Sequence, residues 1–363
     1  MTRAQTVADR IVSEADASGF RAHGLHVLAG DEVAEHRWTA DVREDIHSAA
    51  KGVCVIAAGI AADERLISLD VPVATYLPDA ELGEGGDEIT LRHLLTMTSG
   101  IDLPWSETMM TDWPDLADEF LSRPSRGRVF QYSNASTYTA MRVLAERVGD
   151  VGDYLGPRLF APLGIDDVEW ERCPNGRIVA GGGLALRTEE LARIGRLIRD
   201  RGRWEARQLV SAEWIDAMHS DWVVAGENPG YDGYALAGWR GPGEAWRLHG
   251  AYGQLLVFAG AAVVTITADD HSARTAWPPS PSTRSTPDPR PSHRPRARDG
   301  GCGLRGRAPP ARRRRPPPRG AAGCSRRSRA RGCSTHPAPE HGRKRSARHN
   351  WTPRLLPSAT VTA

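Results

Sequence analysis

A serine and a lysine three residues apart, in the stretch HSAAKG at 47–52, have the spacing for nucleophilic catalysis. On a helix, residues i and i+3 share one face, so the Ser48 hydroxyl and the Lys51 amine can hydrogen-bond. Serine attacks well only when a base takes its proton, and a desolvated lysine can do this near neutral pH. A helix beginning at or just before Ser48 would also offer free N–H groups to a developing oxyanion. The alternative is a lysine that merely reaches solvent, and spacing alone leaves both open.

Lysine usage is unusual in this chain. The 47 basic residues comprise 45 arginines and only two lysines, Lys51 and Lys344. Arginine stays charged at neutral pH and cannot act as a base. The retention of a lysine at position 51 therefore favours a catalytic role, and Lys51→Arg is expected to fold without being acylated.

Tyr132 and Asn134, in the segment FQYSNAS, form a second motif. Residues two apart in an extended segment point the same way, so both side chains can face one site. There Tyr132 would relay a proton between Ser48 and a leaving group, and Asn134 would bind a polar group of the substrate. The alternative is a tyrosine packed under a loop with Asn134 as the N-cap of the following helix.

His249, Gly250 and Ala251 form a third motif on a predicted strand, and Tyr252 follows them. Small residues let a backbone approach a substrate closely, and an N–H here could complete an oxyanion hole with the N–H of Ser48. The alternative is a glycine-rich turn between strands. We take all four residues as candidates for substrate binding.

The elements that must position these motifs follow from periodicity and turn residues. The predicted helices and strands are a helix at 4–17, a hairpin around Gly30-Asp31, a buried helix from HSAAKG onward, short helices in TLRHLLTMTSG (closed by Gly100) and SAEWIDAMHS, longer helices in NASTYTAMRVLAERVG (ended by Gly149) and TEELARIGRLIRDRG, and strands at 234–240, 246–250 and 254–267. These elements predict an α+β fold, with helices on both faces of an antiparallel sheet that both ends of the chain complete.

Charge divides the chain into two parts. The formal net charge of +2 hides a charge of −17 for residues 1–273 and +19 for 274–363, and 16 of the 26 prolines lie in the second part. Such an Arg- and Pro-rich segment buries too little apolar surface to offset chain entropy. We therefore predict one folded domain over 1–272 and a disordered basic tail over 273–363.

Other classes of protein are poorly supported by the sequence. There is no secretory signal pattern, no apolar run long enough to span a bilayer, and no metal-ligand spacing around Cys54 and Cys173. No G-x-S-x-G, H-E-x-x-H or P-loop motif occurs, and Gly181 to Gly183 are expected to form a tight turn beside the site. These observations predict a reduced, cytoplasmic enzyme without a membrane partner.

The ordered motifs S-x-x-K, Y-x-N and H-G-A resemble those of the serine β-lactamase and penicillin-binding protein superfamily. The similarity is greatest to the branch of class C β-lactamases, esterases and 6-aminohexanoate-dimer hydrolases. It extends from about residue 22 to 269 through connecting segments such as LRHLLTMTSGID, FAPLGIDDVEW and AGGGLALRTEELARIGRLI. The resemblance implies a β-lactamase-like fold, with a sheet subdomain at about 1–75 and 176–272 and an inserted helical subdomain at about 76–175.

The resemblance also implies roles for the candidate residues. Ser48 would be the acylated nucleophile, Lys51 its base partner and Tyr132 the proton relay, notably in deacylation. Asn134 would contact the substrate, and His249 would hold the slot where β-lactamases place the lysine of their K-T-G element.

Two departures from the family pattern bear on the substrate. The histidine at 249 weakens a β-lactam assignment, and Ala251 stands where glycine is usual. We therefore expect hydrolysis of a small ester or amide without a metal or organic cofactor, with β-lactamase or D-amino-peptide hydrolase activity as the alternative. Loops at roughly 101–131 and 220–233 would build the pocket walls, and the oligomeric state is not readable.

The tail supports rival interpretations. Its arginines could neutralise nucleic-acid phosphates, but it lacks interleaved aromatic residues and a recognisable nucleic-acid fold. Family resemblance stops near TITADDH, and a GC-rich gene read out of frame yields such a composition. The hypothesis is that residues from about 273 are a frameshift product, which translation of the neighbouring frame tests. The non-enzymatic alternatives are an inactive truncated relative or a nucleic-acid binder that acts through the tail.

Overall fold

The computed structural model describes residues 1–103, 115–227 and 230–271. All of them belong to one compact unit. The predicted disordered tail at 273–363 and parts of both predicted pocket-wall loops lie outside the described residues. No helix among the described residues is long and apolar enough to cross a bilayer.

Eight helices, named in chain order, occur in the described ranges. They are α1 (Arg3–Ser18), α2 (Ala50–Asp63), α3 (Leu91–Leu95), α4 (Leu116–Leu121), α5 (Asn134–Val148), α6 (Val151–Leu155), α7 (Thr188–Arg199) and α8 (Ala212–Ala217). Single 3₁₀ turns occur at His47–Ala49, Val73–Thr75, Gly86–Glu88 and Ala251–Gly253, and a π turn at Gly156–Phe160.

Thirteen short strands, also named in chain order, complete the described elements. They are β1 (Ala22–Ala29), β2 (Glu32–Arg37), β3 (Glu44–Asp45), β4 (Glu169–Trp170), β5 (Leu184–Leu186), β6 (Arg203–Trp204), β7 (Arg207–Gln208), β8 (Val223–Val224), β9 (Gly233–Tyr234), β10 (Trp239–Arg240), β11 (Trp246–Gly250), β12 (Gln254–Ala259) and β13 (Ala262–Ala268). Eight of them form one antiparallel sheet in the order β2-β1-β13-β12-β11-β10-β9-β8. A smaller sheet, β3-β5-β4, includes the strand β3, which ends three residues before Ser48.

The large sheet buries both of its faces. In β12, Leu256 and Phe258 join the core shared with α2 and α7, while Leu255 and Val257 join the core under α1. Successive strand residues point to opposite faces, so burial on both sides explains the continuous apolar run of this strand. The predicted antiparallel sheet, covered by helices and completed by both ends of the domain, is confirmed.

Helix α2 is the central element of the larger core. Its residues from Ala50 to Ala61 are all buried, as its apolar composition predicted. A side chain at Gly52 would come within 2.3 Å of Leu248, and one at Gly59 within 2.5 Å of Trp214. The two glycines therefore let the helix approach β11 on one side and α8 on the other.

Three local predictions need correction. Helix α3 ends at Leu95, so Gly100 (φ 71°) does not cap it, and instead permits close approach to the Gly127 carbonyl. The predicted strand at 254–267 is a hairpin, β12–β13, because Gly260 (φ 57°) makes a turn inside the apolar run. The predicted strand at 234–240 divides into β9 and β10. The proposed subdomain boundaries stay a prediction.

Candidate active site

Ser48 lies at the entrance to α2, in the 3₁₀ turn His47–Ala49 that precedes the α-helix. The expected helix start is therefore correct to within two residues, although its first turn is tighter than an α-helix. The N–H groups of a first turn have no partners inside the helix. Ser48 thus sits where backbone donors and the positive end of the helix dipole are available.

Lys51 is only 2% exposed, and its amine contacts three oxygen atoms. Nζ lies 3.0 Å from Ser48 Oγ, 2.7 Å from Asn134 Oδ1 and 2.9 Å from the Gly181 carbonyl oxygen. The predicted contact between Ser48 and Lys51 is present, and the alternative of a lysine reaching solvent is wrong. Burial of an amine without acceptors would be costly, so these three oxygens account for its position.

Tyr132 and Asn134 both lie beside this amine, which sits over the Tyr132 ring. The ring centroid of Tyr132 lies 5.0 Å from Lys51 Nζ, and Asn134 hydrogen-bonds it directly. Ser133 between them is extended (φ −146°, ψ 134°) and is the N-cap of α5. Its hydroxyl donates to the Leu103 carbonyl at 2.6 Å, which fixes the segment. The alternative in which Asn134 caps the helix is therefore wrong, because Asn134 is already its first residue.

Two glycines make the approach of these segments possible. A Cβ at Gly181 would lie 2.7 Å from Asn134 Oδ1, so a larger residue would displace the amide that holds Lys51. A Cβ at Gly250 would lie 2.2 Å from the Ile46 carbonyl oxygen, two residues before Ser48. Gly250 therefore lets the end of β11 pack against the backbone that leads into the nucleophile.

Ala251 and Tyr252 begin the turn that follows β11. Tyr252 adopts a left-handed conformation (φ 60°), and its ring meets that of His47 edge to face at 5.0 Å. The expected substrate-binding segment thus lies beside the residue that precedes Ser48. Backbone N–H groups from this turn and from Ser48 are the candidate oxyanion donors.

His249 has different partners from Lys51. Its Nδ1 lies 2.7 Å from Tyr231 Oη, and Tyr231 also accepts a hydrogen bond from Arg247. The Tyr231 hydroxyl thus connects the imidazole to the Arg247 guanidinium. Burial, and then the nearby Arg247 charge, lower the pKa of His249 to about 3, although the residue keeps some exposure to solvent. His249 is therefore a neutral imidazole and does not replace the charge of a lysine.

An aromatic cluster connects the two motifs. It consists of Phe130, Tyr132, Tyr231, Tyr234 and Trp239, with adjacent ring centroids 4.7–6.2 Å apart. Tyr234 is fully buried, and burial raises the pKa of its hydroxyl. The cluster runs from the Lys51 side of the site to His249.

Sequence reasoning missed some residues around the site. Gly181 was expected in a turn beside the site, but its carbonyl as a lysine acceptor was not. Asp45, Tyr231 and Trp239 carried no motif, because their contacts are made across long sequence separations. A metal site was not expected, and among the described residues no cluster of three His, Cys, Asp or Glu could hold a metal ion.

Known proteins resemble both the sequence and the fold. Residues 8–274 match the family model for Beta-lactamase. A 6-aminohexanoate-dimer hydrolase from Paenarthrobacter ureafaciens is 30% identical over 219 residues, which are 53% of this chain and 55% of the relative. The match therefore spans about half the length of that relative.

Two solved structures share the fold at low sequence identity. One, described as a putative beta-lactamase from Bacteroides dorei DSM 17855, is 22% identical, with a TM-score of 0.63 and coverage of 73% of this chain and 90% of that one. The other is a family VIII carboxylesterase at 14% identity, with a TM-score of 0.60 and coverage of 74% and 92%. The resemblance stated from the motifs is confirmed: this chain belongs to the Beta-lactamase family, whose fold serves serine hydrolases.

Proposed function

We propose that this protein hydrolyses a small ester or amide through an acyl-enzyme on Ser48. The observation that carries the proposal is the set of three acceptors around Lys51. The Asn134 and Gly181 oxygens can only accept hydrogen bonds, so they take both N–H groups of a neutral amine. Its lone pair then faces the Ser48 hydroxyl, which is the orientation a base needs.

Acylation follows from this orientation. Lys51 takes the proton of Ser48 as Oγ forms a bond to the substrate carbonyl carbon, whose oxygen becomes negatively charged. The N–H of Ser48 and an N–H of the Ala251–Tyr252 turn stabilise that oxyanion. When the intermediate collapses, the bond to the leaving alcohol or amine breaks. The proton that Lys51 took from Ser48 then passes through Tyr132 to this leaving group.

Deacylation uses the same groups in reverse order. A water molecule gives up a proton to the Tyr132–Lys51 pair as its oxygen attacks the acyl carbon. The bond to Ser48 Oγ then breaks, the serine regains a proton, and a carboxylic acid leaves. In each half of the cycle the base passes on the proton that it takes, to the leaving group in acylation and to Ser48 in deacylation, so water is the only reactant required besides the substrate.

The neutral His249 favours uncharged acyl groups. A neutral imidazole has a single N–H group and no positive charge. A substrate carboxylate would gain less from it than from an ammonium group. We therefore rank esters, the substrate class named for the carboxylesterase, and amides without a carboxylate above β-lactams that carry one.

One experiment tests the proposal on the full chain. Wild-type protein and Ser48→Ala are treated with a fluorophosphonate, and the modified peptide is identified by mass spectrometry. The same proteins are assayed with a short-chain p-nitrophenyl ester, nitrocefin and a linear 6-aminohexanoate dimer. We expect an adduct on Ser48 and fastest turnover of the ester. A folded wild-type protein with neither adduct nor turnover would contradict the proposal.

A further inference from the structure

Asp45, three residues before Ser48, joins two segments of the site through one carboxylate. Its Oδ1 accepts the backbone N–H of His47 at 2.7 Å and that of Gly183 at 2.8 Å. Its Oδ2 lies 2.9 Å from His47 Nδ1. The carboxylate therefore links the residue before the nucleophile to the glycine segment at 181–183.

That glycine segment supplies an acceptor of the proposed base. Gly181 gives its carbonyl to Lys51, and the Gly182 carbonyl accepts from Trp170 Nε1 at 3.0 Å. The Leu184 carbonyl accepts the N–H of Ile46 at 2.9 Å. With Asp45 holding the Gly183 N–H, each of the four residues from Gly181 to Leu184 makes at least one such hydrogen bond, and the Gly183 carbonyl also accepts the Glu171 N–H at 2.8 Å.

The backbone at His47 needs such support. His47 has φ 49°, in the left-handed region that is costly for residues other than glycine. Asp45 holds both the N–H and the ring of this residue, which stabilises the conformation that leads directly into Ser48. Burial would raise the pKa of Asp45, but hydrogen bonds from His47 and the two N–H groups outweigh it and hold the pKa below its usual value.

We propose that Asp45 is a positioning residue, which sets the distance between Ser48 and the oxygens that orient Lys51 by tying His47 to Gly183. It acts through these two residues and does not touch the substrate. The inference rests on the proposed function, since it assigns Asp45 to the same acylation step. A displacement of about 1 Å in such an arrangement can lower a rate by about 10²-fold.

Three substitutions separate position from charge. Asp45→Asn keeps the side-chain length and an oxygen that can accept both N–H groups. Asp45→Glu keeps the charge but moves the acceptor by one methylene. Asp45→Ala removes all three contacts. The matched control is Asp70→Glu, at an exposed carboxylate that pairs with Arg92 in a bidentate manner.

The measurements are the rate of fluorophosphonate labelling at Ser48, kcat and KM for a p-nitrophenyl ester, and the melting temperature. We expect Asp45→Asn to stay within about threefold of wild type. Asp45→Glu and Asp45→Ala should lose about 10- to 100-fold in kcat and labelling rate, with KM little changed. If Asp45→Ala does not fold, the test is the comparison of Asp45→Asn with Asp45→Glu.

Each other outcome has a distinct meaning. Retained activity in Asp45→Glu with loss in Asp45→Asn would show a charge effect and overturn the inference. Melting temperatures that fall while kcat per labelled site stays constant would show a purely structural role and overturn it as well. If wild type is labelled at Ser48 and the Asp45 variants behave like wild type, the inference is overturned and the proposed function stands. If folded wild type is not labelled, both the inference and the proposed function are overturned.

Discussion

Lys51 and His249 are two nitrogen bases of one site with opposite surroundings. Lys51 is enclosed by oxygen atoms from Ser48, Asn134 and Gly181. His249 lies beside the Tyr231 ring and the Arg247 guanidinium, and its imidazole is hydrogen-bonded to the Tyr231 hydroxyl. The first environment surrounds an amine with oxygen acceptors, while the second keeps the imidazole neutral.

The difference assigns separate tasks to the two regions. The oxygen-lined region can accept and return a proton, because its acceptors can accommodate a positive charge as it forms. The aromatic region can orient a neutral group through a hydrogen bond to the neutral imidazole but is poorly suited to proton transfer near neutral pH. Substitutions should therefore affect turnover strongly on the Lys51 side and only modestly on the His249 side.

The largest effect is expected from Lys51→Arg. Arginine remains charged and cannot take the Ser48 proton, so kcat/KM for an ester should fall on the order of 10⁴-fold, as when one member of an activating unit is removed. Circular dichroism checks that the fold is kept. Lys344→Arg, at the only other lysine, is the matched control and should leave activity unchanged. Retained activity in Lys51→Arg would exclude the lysine as the base.

Tyr132→Phe should have the next largest effect. Loss of a proton relay lowers rates by about 10²- to 10⁴-fold, and here deacylation should suffer most. Rapid-quench kinetics would then show a burst of p-nitrophenol equal to the enzyme concentration. Tyr138→Phe, on α5 with its hydroxyl 3.3 Å from Cys173 Sγ, is the control and should show no burst. Equal kcat in both variants would remove Tyr132 from the mechanism.

Gly181→Ala tests the oxygens that orient Lys51. The new Cβ would lie 2.7 Å from Asn134 Oδ1, so the amide must move away from the amine. We expect a loss of roughly 10- to 100-fold in kcat, smaller than for Tyr132→Phe. Gly156→Ala has open space around its new methyl group and should behave as wild type. An unchanged kcat in Gly181→Ala would show that Asn134 is not needed to orient the base.

The smallest effect concerns His249 and is read in stability. Its pKa is about 3 in the folded protein against an ordinary value of 6.5. Below about pH 6.5 the unfolded chain binds a proton on His249 that the folded chain does not bind, so stability falls as pH drops toward 3.

His249→Asn removes this penalty. The free energy of unfolding, measured in urea, should favour the variant progressively in acid, by no more than about 1.4 kcal/mol per pH unit. A constant difference between variant and wild type would contradict a neutral His249.

The sequence predicted the site best where spacing along one element decides the contact. Ser48 and Lys51 are one helical turn apart, and Tyr132 and Asn134 flank one extended residue, so local geometry brings each pair together. The order of motifs was informative enough to identify the family. The N-terminal hairpin, and the contribution of both ends of the domain to one sheet, also followed from alternation and turn residues.

Contacts made across the fold were not predictable in this way. The Asp45–Gly183 and Tyr231–His249 hydrogen bonds depend on how separate loops pack, which no local pattern encodes. The turn between β12 and β13 was not predicted. Both faces of these strands are buried, so their apolar residues form one continuous run without an alternation that would show where one strand ends and the next begins. The neutral state of His249 likewise depends on its neighbours and not on its residue type.

The central claim is that Ser48 becomes acylated because Lys51 takes its proton. The most direct test incubates full-length wild type, Ser48→Ala and Lys51→Arg with a p-nitrophenyl ester, quenches with acid and maps the acylated peptide by mass spectrometry. The account predicts an acyl group on Ser48 in wild type alone. An acyl group at another residue, or on Ser48 to the same extent in Lys51→Arg, would contradict it.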